Sequence, residues 1–63
     1  MAGREVLFEF RQIGAYVKVS AIDCLTGLEV SIVGDAKAGE VRLKQTALKK
    51  LEYVMAKQEP ARR

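Results

Sequence analysis

Few side chains here are equipped for catalysis: one thiol, Cys24, two phenols, Tyr16 and Tyr53, eight carboxylates, eleven Lys and Arg, and no histidine. Without an imidazole, no Ser-His or Cys-His pair can assemble as an activated nucleophile. One thiol without histidine is too small a donor set for a zinc site. The acids Glu5, Glu9, Asp23, Glu29 and Asp35 meet only as scattered surface pairs. The glycines at 34 and 39 bracket a stretch without the Lys-Ser/Thr ending of a phosphate loop. Cys24 has no cation beside it to make it reactive and reads as an exposed loop residue. The expectation is a non-enzyme with no catalytic residue, no metal and no cofactor, which leaves recognition.

Two surfaces qualify. Residues 1–36 carry three cations against five acids, whereas residues 37–63 carry eight against three, so a net charge of +3 conceals a basic C-terminal half. On a helix, Arg42, Lys49, Lys50, Tyr53 and Lys57 fall on one outward face. That stripe suits phosphates with one aromatic for stacking, a sequence-independent nucleic-acid contact. The other surface is a sheet face carrying Leu7, Glu9, Arg11, Tyr16, Lys18, Ser20, Ile22, Glu29, Ser31 and Val33. Sheets that read DNA need cations, and here Glu9 and Glu29 cancel Arg11 and Lys18. The mixture centred on Leu7, Tyr16, Ile22 and Val33 suits contact with a protein partner or a second copy of the chain, giving a homodimer. The outer strands also leave unpaired edges that can extend a sheet across a dimer axis.

The elements that position these residues follow from periodicity. Residues 16–22 alternate, with Val17, Val19 and Ala21 on one face and Lys18, Ser20 and Ile22 on the other, as a strand requires. Residues 28–33 alternate too, and the stretch from Asp23 to Gly27 reads as a turn. A loop over residues 24–27 places Asp23 opposite Leu28, Ala21 opposite Val30, Ser20 opposite Ser31 and Val19 opposite Ile32, which keeps like with like on each face. Residues 5–11 form another strand with Val6, Phe8 and Phe10 inward. Its turn is either a tight loop at Ile13 and Gly14 or a longer one over residues 13–16. The longer is favoured, because a primed turn asks a β-branched Ile13 for positive φ. Residues 34–39 break the alternation and read as a connector, in which Asp35 or Gly39 caps the next element.

From Glu40 to about Lys57 the period becomes helical. Leu43, Ala47, Leu48, Leu51, Val54 and Met55 share an arc of roughly 140°, with Lys44 as the exception inside it. Pro60 ends the helix and residues 58–63 read as a flexible tail. The expected fold is α+β, a three-stranded antiparallel meander in order 1-2-3 with one C-terminal helix packed on one face. It forms one domain over residues 1–63 with its ordered core at about 4–57. At 63 residues such a core is only marginally stabilising, so a partner on the exposed sheet would help. No run approaches the ~20 apolar residues of a membrane span, the first apolar run is too interrupted for a secretion signal, and a lone cysteine fits a reducing cytoplasm.

The segments Gly3-Arg4-Glu5-Val6 to Gln12-Ile13-Gly14, then Val17-Lys18-Val19-Ser20-Ala21-Ile22-Asp23 with Thr26-Gly27, then Ala47-Leu48-Lys49-Lys50-Leu51-Glu52-Tyr53-Val54 resemble a family of short uncharacterised proteobacterial proteins. The resemblance covers nearly the whole chain. It implies a bacterial cytoplasmic protein of unknown function and brings no active site.

Overall fold

The computed structural model describes residues 5–58. Strands β1 (Val6–Ile13), β2 (Tyr16–Asp23) and β3 (Glu29–Asp35) form an antiparallel sheet in order β1-β2-β3. A single 3-10 turn (Ala36–Ala38) leads into the helix α1 (Glu40–Gln58). The expected α+β architecture is the one observed. The expected tail over residues 58–63 lies almost wholly outside the described residues.

The second hairpin has the expected register, with Ala21 opposite Val30, Ser20 opposite Ser31 and Val19 opposite Ile32. Its loop is held by a short relay. The Oδ2 of buried Asp23 accepts from the Thr26 amide at 3.1 Å and the Thr26 hydroxyl at 2.7 Å, and Thr26 Oγ1 accepts from the Leu28 amide at 3.2 Å. Gly27 closes the loop at φ 81°, a conformation that costs glycine little.

The first hairpin pairs Phe8 with Ala21, Phe10 with Val19 and Gln12 with Val17, the register of the longer loop. Pairing nevertheless runs on to Ile13 and Tyr16, so only Gly14 and Ala15 remain unpaired. The strain foreseen at Ile13 does not arise, because the positive φ of 63° falls on Gly14. Gly at the first central position of a two-residue loop is the pattern of a type II′ turn.

β3 is also longer than its alternation suggests. Gly34 stays in the strand opposite Val17, and a Cβ there would come within 2.5 Å of Leu43 Cδ2. The glycine is a close approach of helix to sheet, not a break. Both residues expected to cap are used. Asp35 Oδ1 accepts from the Lys37 amide at 2.8 Å and starts the 3-10 turn, while the Gly39 carbonyl accepts from the Leu43 amide at 3.1 Å and starts α1.

The buried core is Val19, Ala21, Val30, Leu43, Ala47 and Leu51, with Val6, Phe8, Val17, Leu28, Ile32, Leu48, Val54 and Met55 packed partly buried around it. α1 lies over β2 and β3 rather than across all three strands. The inward face of β1 is therefore covered only in part. Phe10, expected in the core, is 37% exposed. Lys44 lays its ammonium 5.3 Å from the centre of the Phe8 ring, so this exception to the apolar arc covers an aromatic the helix backbone does not reach.

Candidate interaction surface

The pairing fixes four rows across the face of the sheet opposite α1. From the β2–β3 loop toward the first hairpin they are Leu7, Ile22 and Glu29; Glu9, Ser20 and Ser31; Arg11, Lys18 and Val33; and Ile13, Tyr16 and Asp35. Of the four residues expected to make contacts, Leu7, Tyr16 and Val33 are more than half exposed, and Ile22 is half-buried. They do not make one patch. Leu7 and Ile22 are directly opposite each other at one end. Tyr16 sits at the other end, with Val33 on its diagonal, and the polar rows lie between.

Ile13, 55% exposed opposite Tyr16, completes the second apolar end, and a loop over residues 13–16 leaves it out of the face. The signal for it is the odd-numbered series Leu7, Glu9, Arg11, Ile13, which continues the strand's alternation. In the middle rows, Ser20 is buried although it faces away from the helix, and its hydroxyl lies 3.1 Å from that of Ser31. A small residue on the central strand is shaded by its longer neighbours.

The two outer edges of the sheet are not equivalent. The Asp23 amide donates to the Leu28 carbonyl at 2.8 Å and the Cys24 amide to the Glu5 carbonyl at 3.0 Å. Antiparallel ladders alternate bonded and non-bonded pairs. The N–H and C=O groups of Glu29, Ser31 and Val33 therefore turn outward from β3, and those of Val6, Phe8, Phe10 and Gln12 outward from β1. On β3, the Lys50 ammonium donates to the outward Ser31 carbonyl at 2.9 Å. A lysine on a strand edge is a recurrent guard against further pairing. On β1, no side chain among the described residues bonds to these outward backbone groups.

Beside that edge, between β1 and α1, run two open depressions of about 360 Å³ each. Val6, Phe8, Leu48, Leu51, Glu52 and Met55 line one, and Phe10, Gln12, Val17 and Leu43 contribute to the other.

The basic stripe is carried on an unbroken helix, and Arg42, Lys49, Lys50, Tyr53 and Lys57 are all exposed. Two of its cations are engaged. Lys50 reaches the Ser31 carbonyl, and the Lys57 ammonium lies 5.3 Å from the centre of the Tyr53 ring. Among the described residues of the stripe, that leaves Arg42 and Lys49 as the cations free to meet an anion. Cys24 is exposed in the β2–β3 loop, as its turn position implies. No helix among the described residues is long and apolar enough to cross a membrane.

Neither the curated proteins nor the solved structures include a match to this chain. The family model described as Domain of unknown function (DUF6898) matches residues 3–58, and with nearly its whole length covered the chain belongs to that family.

Proposed function

We propose that this chain is a small non-enzymatic protein-interaction domain that associates with itself, and that its docking element is the outer edge of β1 with the mixed sheet face beside it. The observation that carries the reading is the asymmetry of the edges. Lys50 guards β3 at Ser31, while Val6, Phe8, Phe10 and Gln12 of β1 keep outward backbone donors and acceptors that no side chain among the described residues bonds, next to exposed Leu7, Phe10 and Ile13. Pairing across a strand edge satisfies backbone groups in series and leaves the side chains to choose the partner. A core this small gains from the additional burial. The lone exposed cysteine fits a reducing bacterial cytoplasm as the place of work.

Sedimentation and amide exchange of the whole chain test the proposal together. Mass should rise above 7.0 kDa with concentration, while exchange slows at the Phe8, Phe10 and Gln12 amides and not at Val33. A chain that stays at 7.0 kDa with those amides unprotected at high micromolar concentration rules self-association out.

A second reading, sequence-independent nucleic-acid binding, is favoured by the exposed Tyr53 ring lying among cations on one helix face. Its observable is binding that weakens steeply with salt.

A further inference from the structure

We infer that two copies of this chain join β1 to β1 in one register, with Phe10 at the two-fold axis, making a continuous six-stranded antiparallel sheet with both helices on the same side. This rests on the edge-docking reading above and adds the partner's alignment.

The alignment follows from parity and charge. Only Val6, Phe8, Phe10 and Gln12 turn their backbone groups outward, so an antiparallel pairing must set even positions against even ones. A slip by one residue mismatches the bonds and swaps the faces. With Phe10 opposite the second copy's Phe10, Phe8 faces Gln12 on the helix side. On the other face, Leu7 meets Ile13, Glu9 meets Arg11, Arg11 meets Glu9 and Ile13 meets Leu7. Every charge finds its opposite, and each exposed apolar side chain finds another.

The neighbouring registers fail. Sliding by two positions one way sets Glu9 against Glu9, and the other way sets Arg11 against Arg11, pairs that repel when directly opposed. Within one chain Arg11 already stands opposite Lys18, a like-charge pair that an acid on its other side would relieve. Phe10, 37% exposed at the rim of a depression that α1 leaves uncovered, gains an aromatic neighbour across the axis.

Charge reversal at two exposed positions tests the register. Glu9→Arg and Arg11→Glu, each alone, should weaken dimerisation at least about tenfold, because both symmetry-related pairs turn repulsive. The two changes in one chain should restore it, and an equimolar mixture of the single variants should form the heterodimer. Circular dichroism confirms that each variant is folded.

A disulfide trap gives a second readout. In a Cys24→Ser background, Glu9→Cys should cross-link to Arg11→Cys in a mixture and not to itself, since only the first pair lies within disulfide reach. A wild-type dimer indifferent to the single reversals, or a double variant no better than either single, overturns this register and leaves edge docking standing. A wild type that is monomeric throughout overturns both.

Discussion

The Lys50 ammonium sits 2.9 Å from the carbonyl oxygen of Ser31, nineteen residues away in sequence, and so ties the exposed flank of α1 to the outer edge of β3. One lysine thereby does two things. It occupies one outward carbonyl of the β3 edge, and it is withdrawn from the cationic stripe to which its spacing assigned it. On β1, by contrast, no side chain among the described residues bonds an outward backbone group.

Lys50→Met keeps the aliphatic stem and removes the donor. Stability should change by about 1 kcal/mol or less, as for one exposed hydrogen bond. Association should change more, because a chain with two open edges can add copies in series instead of stopping at a closed pair. Light scattering should show species larger than a dimer at concentrations where the wild type shows none, and an unchanged size distribution would argue that Lys50 guards nothing.

Gly34→Ala places a methyl group 2.5 Å from Leu43 Cδ2, too close for both to stay. Leu43 is buried, so its displacement should cost about 1–3 kcal/mol, lowering Tm by roughly 4–8 °C per kcal/mol in a domain of this size. Thermal unfolding reads this directly. The double variant with Leu43→Ala should cost less than the sum of the two singles, because one removes the obstacle the other meets.

Asp23→Ala should destabilise by about 1–3 kcal/mol, since it strips the buried acceptor from the Thr26 amide and hydroxyl. Thr26→Val, which loses the relay to Leu28 and keeps the volume, should cost less. Urea midpoints rank the two. Equal values would mean that the carboxylate acts mainly through the Thr26 hydroxyl, and an unchanged midpoint for Asp23→Ala that the loop does not depend on it.

The nucleic-acid reading separates the stripe's residues by geometry. If the helix face binds phosphates, Lys49→Glu should abolish low-salt binding to a single-stranded oligonucleotide. Lys50→Met should leave it nearly unchanged, because Lys50 is occupied at Ser31. Fluorescence anisotropy across a salt series measures both, and the absence of low-salt binding by the wild type closes the reading.

Alternation leaves the first hairpin two registers, but with the helical arc and the turn chemistry at Asp23 and Gly27 it is enough to establish the meander, its order, the register of the second hairpin and the face the helix covers. Each of these depends on near neighbours along the chain, and one slip would put Val19 or Ala21 in water. The ends of the strands are less legible. Gly34 reads as a breaker until α1 lies above it, and Ile13 reads as a loop residue until the two-residue turn moves the positive φ to Gly14.

Which residues face which way can be read along the chain, because side-chain periodicity is a local property of strands and helices. Where the helix rests laterally on the sheet cannot. By settling over β2 and β3, α1 leaves Phe10 partly uncovered beside the β1 edge and brings Lys50 onto the β3 edge. No spacing along the chain encodes that offset, since it comes from how Leu43, Ala47 and Leu51 fit against Val19, Ala21 and Val30 in three dimensions.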